Sequence, residues 1–179
     1  MLPNVDKDWL KSRDTHVLDR LKMLSARQLC VQARQLDWSI TSAEVMGWIC
    51  AQRSVDLGTA MTMFLNARPH RFNHTDREEL NDADRRLCVA LDALAQRINC
   101  GYYLPSPDAP MTNPRDFSAW MRVQESDRQS GRKGRWQFNP VVVAPMISDI
   151  RFQAKPSRFA PKSANNSRLF RRVLRPISA

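Results

Sequence analysis

Few residue types in this chain could carry chemistry, and their spacing limits what each could do. His70 and His74 stand four apart, the separation at which two imidazoles on one helical turn share a metal ion. They fall instead in "ARPHRFNHTD", between Pro69 and a helix-start signal, with no third ligand at a useful spacing. Cys30, Cys50, Cys88 and Cys100 are 20, 38 and 12 positions apart and form no CxxC pair, so they read as free, buried thiols of a reducing compartment. The acid pairs Glu78–Glu79 and Asp82–Asp84 sit at the front of a helix-forming stretch, where they favour the helix dipole and solvent over acid-base work. No Ser or Cys stands in a nucleophile elbow, and no glycine-rich loop with a lysine precedes a helix. The reading is a non-enzymatic protein with no metal and no cofactor.

Charge is the stronger signal. The 179 residues carry a net charge of +10. Residues 1 to 110 are balanced, with fourteen Lys/Arg against fourteen Asp/Glu, whereas residues 111 to 179 hold fourteen against four. Towards the end Arg151, Lys155, Arg158, Lys162, Arg168, Arg171, Arg172 and Arg175 alternate with Phe152, Phe159 and Phe170. Cations that pair with phosphates thus lie beside rings that stack on bases. In "SRLFRRVLRP" a helical wheel puts Leu169, Phe170, Val173 and Leu174 on one arc and Arg168, Arg171, Arg172 and Arg175 on the other, with Ser167 as cap and Pro176 as stop. So short a helix needs a surface. An acidic protein partner is the leading expectation. Nucleic acid is the alternative, and an anionic membrane surface a lesser one.

These residues need elements to position them. Helices are expected over 6–22 and 25–36, the second capped by Ser25. Thr41 with Glu44 forms a capping-box pattern before a helix with Val45, Trp48 and Ile49 inward. Asp56 is placed to cap a helix running to about Ala67. Leu57, Ala60, Met61, Met63, Phe64 and Leu65 cover most of its circumference, and Gly58, Thr59 and Thr62 the rest, so this helix should be central and its Gly-Thr-Ala step a packing device. Thr75 with Glu78 suggests the start of the longest helix, which Gly101 should end; Leu80, Ala83, Leu87, Leu91, Leu94, Ala95 and Ile98 form its stripe.

"YYLPSPDAPMTNP" reads as a linker, followed by a helix from Pro114 to about Arg128 that "SGRKGRW" breaks. "WQFNPVVVAPMISDIRF" has β-branched alternation interrupted by prolines, which suggests an edge strand or extended arm. From Gln153 onward the composition favours disorder or folding on binding. The expected architecture is all-α: a compact bundle of about five helices in residues 1–104, a linker and short helix in 105–138, and an extended basic arm in 139–179.

The stretch "DWSITSAEVMGWICAQRSVDLGTAMTMFLNA" resembles the bacterial family termed domain of unknown function 4274, through Trp38, Trp48, Ile49, Asp56, Leu57, Gly58, Thr59, Ala60 and Phe64. The likeness covers roughly residues 25 to 104. Ser39 stands where an acid is usual and Val55 where the family has Cys. The resemblance implies a helical fold and carries no established activity. No run approaches the ~18 apolar residues of a membrane span, and the opening "MLPNVDKDWLKSRD" is charged where a signal peptide is apolar. The expectation is a cytoplasmic interaction module of adaptor or toxin-neutralising type.

Overall fold

The helix around which the others assemble starts at Asp56. Its Oδ1 accepts the Thr59 N–H at 2.8 Å, and its Oδ2 accepts the Thr59 hydroxyl at 2.8 Å, which closes the first turn. All eight residues from Leu57 to Phe64 are buried. The computed structural model describes residues 5–106 and 111–154, with side chains over 14–106 and 111–147. In that span the elements are α1 (Val5–Lys22), α2 (Ala26–Arg34), α3 (Ala43–Cys50), α4 (Leu57–Asn66), α5 (Asp82–Asn99), α6 (Pro114–Gln129) and α7 (Pro140–Ala154), with short 3-10 turns at Pro69–Arg71 and Arg77–Glu79. The described part is all-helical and compact, and α4 packs against α2, α5 and α6.

The Gly-Thr-Ala step is a packing device. The Thr59 hydroxyl accepts a hydrogen bond from Arg34 Nε at 2.8 Å, while Arg34 Nη2 lies 3.4 Å from Asp56 Oδ1. One guanidinium thereby ties α2 to the cap of α4. Further along, Phe64 makes edge-to-face contacts with Trp120, Trp136 and Phe138 at 5.3, 5.7 and 4.9 Å between centroids. Such pairs contribute about 0.5 to 1.5 kcal/mol each beyond their buried area. Tyr103 donates to the Cys50 carbonyl at 2.6 Å and the Leu57 N–H donates to the Leu104 carbonyl at 2.9 Å, so the chain after α5 satisfies orphan groups at the end of α3 and the start of α4.

Two helix starts differ from expectation. Ser42, not Thr41, caps α3, accepting the Val45 N–H at 3.3 Å, because the Thr41 hydroxyl is committed to the Asp37 carbonyl at 2.7 Å. The long helix begins at Asp82 rather than after Thr75. Leu80 is extended (φ −80°, ψ 133°) with its side chain in the core, and Asn81 then caps α5 by accepting the Asp84 N–H at 2.9 Å. Ser25, Asp56 and Gly101 act as expected; Gly101 ends α5 at φ +71°.

The larger correction concerns residues 136–154. The expected strand or extended arm is α7. Pro140 needs no N–H partner at its first position, and Asn139 caps it, its Oδ1 accepting the Val141 N–H at 3.0 Å. Pro145 removes the donor to the Val141 carbonyl, a loss borne at a residue 80% exposed to water. Residues 136–139 have no regular secondary structure, and side-chain amides satisfy their backbone groups. Asn73 Oδ1 accepts the Trp136 N–H at 3.1 Å. Gln124 both accepts the Phe138 N–H at 2.8 Å and donates to the Phe138 carbonyl at 2.7 Å. Asn99 accepts the Asn139 N–H and donates to the Gln137 carbonyl, both at 2.8 Å. Trp136, Phe138, Val143 and Met146 enter the same core as α1 to α5, so among the described residues no second core begins after residue 104.

Candidate contact surface

One end of the bundle, where α4 gives way to the Pro69–Arg71 turn and faces α6 and its following loop, gathers the charged groups that the core does not use. Two adjoining hollows, of about 540 and 450 Å³, meet at Asn73 and His74. The larger is lined by Arg68, His70, Asp116, Trp120 and Val123 among others. Arg77, Arg132, Lys133 and Arg135 line the smaller one.

The loop carrying Arg132 and Lys133 is held on both flanks. Gly131 takes φ +69° to leave α6, and the Arg132 N–H donates to the Asp127 carbonyl at 2.8 Å. Gly134 lies directly against the Asn73 side chain, with no room for a Cβ. Beyond it the Arg135 N–H donates to the Asn73 carbonyl at 2.8 Å.

Of the acids here, Asp92 and Asp127 face partners inside the fold, whereas Asp76 is exposed in the smaller hollow. Arg135 grips Asp92 through Nε at 3.0 Å and Nη2 at 2.9 Å, Trp136 Nε1 donates to the same carboxylate at 2.7 Å, and Arg77 approaches it at 3.6 Å. Burial alone would raise the Asp92 pKa, but these bonds and charges outweigh it and hold the carboxyl below its ordinary range. Asp116 accepts from the Asn113 amide at the start of α6. His74 Nε2 lies 3.1 Å from Asp127 Oδ2. The Asn73 amide nitrogen lies 3.4 Å from the same Nε2, so the ring tautomer sets which of the two that nitrogen bonds. By contrast Arg68, Arg132 and Lys133 have no carboxylate within 4.0 Å among the described residues. The surface therefore offers N–H donors and an excess of positive charge, with Asp116 and Asp76 the carboxylates of its lining that, among the described residues, no cation holds within 4.0 Å.

His70 and His74 do line one hollow, but among the described residues no three His, Cys, Asp or Glu side chains converge to hold a metal. Of the cations and apolar residues picked from the sequence, Arg151 and Phe152 are in α7, with side chains outside the described set. Lys155, Arg158, Phe159, Lys162, Arg168, Leu169, Phe170, Arg171, Arg172, Leu174 and Arg175 lie outside the described residues altogether. Sequence reasoning passed over Arg132 and Lys133 by treating "SGRKGRW" only as a helix breaker. Its two cations between Gly131 and Gly134, with Arg135 just beyond, were the available signal.

No family model, no curated protein and no solved structure matches the chain. Among the described residues no helix is long and apolar enough to cross a membrane.

Proposed function

We propose that this is a cytoplasmic, non-enzymatic interaction module that grips an acidic protein partner through the Arg68–Arg132–Lys133 face, assisted by the basic C-terminal residues. The observation that carries the reading is the contrast in pairing. Asp92 and Asp127 face Arg135 and His74 inside the fold, while Arg132 and Lys133 beside them have no carboxylate within 4.0 Å among the described residues, and their hollow holds one exposed acid, Asp76. Val123, 47% exposed, and the exposed Ala119 lie among these charges, giving the mixture of small apolar contact and polar rim usual in protein interfaces. Seven further Lys and Arg, and no acid, follow in residues 155–179 and extend the same charge preference. Kinship with the domain of unknown function 4274 family, proposed for residues 25–104, adds no activity to this reading.

Nucleic acid is the competing polyanion. Every large hydrophobic side chain exposed among the described residues is aliphatic, so the one exposed ring beside Arg132 and Lys133 is the His74 imidazole, a smaller stacking platform than the Phe, Tyr or Trp of single-strand binders. The test uses two probes of matched charge, polyglutamate and single-stranded DNA, read by fluorescence anisotropy over a salt series with the full chain. The expected result is preference for polyglutamate, weakened on the order of fivefold by replacing Arg132 and Lys133 together with Ser. Tighter DNA binding with a steep salt slope would move the assignment to nucleic acid. Unchanged polyglutamate binding in the double variant would remove this face from the proposal.

A further inference from the structure

The first two helices lean on different neighbours, α1 on α3 and α2 on α4, and a groove is left between them. Leu29, Cys30 and Ala33 are the buried face of α2, which places Val31 on its opposite side. On α1, Val17, Arg20 and Leu21, with Leu24 just past the helix end, keep the i, i+3, i+4, i+7 spacing of one stripe. These two sides line a hollow of about 550 Å³ whose apolar residues are Val17, Leu21, Leu24 and Val31. Val17 and Val31 are 37% and 48% exposed, so the hollow opens to water on a contiguous aliphatic surface.

The charge around this groove has one sign. Arg20 and Arg27 line it, no acid among the described residues does, and neither arginine has a described carboxylate within 4.0 Å. Asp19, next to Arg20 in the chain, lies outside the lining and pairs with Lys22 at 3.4 Å. An apolar stripe edged by acids complements both features, and an amphipathic helix presents them together. We infer that the α1–α2 groove seats an acidic amphipathic helix of a partner protein, its apolar residues on Val17, Leu24 and Val31 and its carboxylates on Arg20 and Arg27. A second copy of the groove, or the arginine-rich 167–176 segment of this chain, would set like charges against those arginines. A flat anionic membrane would reach the cations but not Leu21, which is 9% exposed in the groove. The inference uses none of the Arg68–Arg132–Lys133 face and stands apart from it.

The test uses the full chain and a fluorescein-labelled peptide of about five helical turns, with Leu along one face and Glu on both edges of that face. A scrambled peptide of the same composition and a Leu/Lys counterpart are the controls, and phosphatidylglycerol vesicles are the membrane probe. By anisotropy the patterned acidic peptide should bind about tenfold more tightly than either control. Val31→Asn, at a half-exposed position, should weaken it about fivefold, as should replacing Arg20 and Arg27 together with Ser. Replacing Arg132 and Lys133 should leave it unchanged. Equal binding of the scrambled peptide, or no loss in Val31→Asn, overturns the groove. No loss in the Arg20 and Arg27 double variant overturns the acidic character of the partner. A loss in the Arg132 and Lys133 variant as large as that in Val31→Asn moves the peptide to the other face and also overturns the site. Vesicle binding that depends on Val31, without peptide binding, assigns the groove to a membrane instead. Failure to bind polyglutamate with peptide binding intact sinks the function proposed above and leaves this inference standing.

Discussion

A single methyl group at Gly134 tests how the basic loop is held. The backbone there is not left-handed, so the cost of Gly134→Ala is one of contact alone. An added Cβ would overlap Asn73 Nδ2 and stand 2.9 Å from both Cγ and Oδ1 of the same side chain. Asn73 is 6% exposed, and its Oδ1 holds the Trp136 N–H at 3.1 Å, so the amide cannot swing aside without stripping a buried donor. An unsatisfied buried N–H costs about 1 to 3 kcal/mol, and forcing a group into filled space costs roughly 1 to 3 kcal/mol. Together the two costs span about 2 to 6 kcal/mol, and partial relaxation puts the expected loss in the lower half, about 3 kcal/mol. Two other glycines calibrate it. Gly131→Ala has open space but φ +69°, a penalty of about 1 to 2 kcal/mol. Gly47→Ala lies inside α3 with nothing within 4 Å, and should stabilise by about 0.5 to 1 kcal/mol. Urea unfolding followed by tryptophan fluorescence should rank Gly47→Ala above the parent, then Gly131→Ala, then Gly134→Ala. A Gly134→Ala protein no less stable than Gly131→Ala would refute the clamp.

Asp92 and the cysteines give two more tests. The Asp92 carboxyl is held below its ordinary pKa, so its contribution to stability is present above about pH 4 and lost as pH falls through the folded-state value. Asp92→Asn should therefore melt lower than the parent at pH 6 and converge with it towards pH 3; parallel curves across that range would contradict the assignment. Burial pushes the Cys50 thiol up to about 11 and also raises Cys30 and Cys88, whereas Cys100 is exposed. A thiol reagent at pH 8 should label Cys100 first in the native protein, read by peptide mass; Cys50 reacting as fast would show that the core opens readily.

What could be read from the sequence was local. Ser25, Asp56 and Gly101 act within four residues of themselves, and those assignments hold. Phe64 and its neighbours were placed centrally because apolar residues covered the wheel, and all of Leu57 to Phe64 is buried. Thr41 and Thr75 misled because a nearby Ser42 or Asn81 competes for the same role with equally plausible chemistry. The 136–139 segment was beyond reach for another reason. Its hydrogen-bonding side chains, Gln124, Asn99 and Asn73, are 14, 38 to 40 and 63 residues away, and no short window reveals such pairing. The β-like alternation of Trp136 and Phe138 was real, but the ladder is made of amides. His74 likewise finds Asp127 far along the chain, so its role could not be read from its spacing to His70.

Arg68 shows why the candidate surface is more than leftover charge. It occupies the position just past the end of α4 where a helix usually turns left-handed on a glycine, and its N–H closes onto the Leu65 carbonyl at 3.0 Å. A non-glycine residue there costs about 1 to 2 kcal/mol, a noticeable fraction of the roughly 5 to 15 kcal/mol that keeps a domain folded. The flanks withstand that strain: Ala67 is 5% exposed, Pro69 is buried, and Phe64 one turn earlier is locked among three aromatic rings. The turn itself gains nothing from an arginine. Its side chain is exposed and lines the hollow beside His70 and Val123, so what the turn fixes is the point from which the cation is displayed. Backbone ordered in advance spares a partner the cost of ordering it on arrival, so a cation carried on a strained but buttressed turn opposes binding less than one on a loose loop.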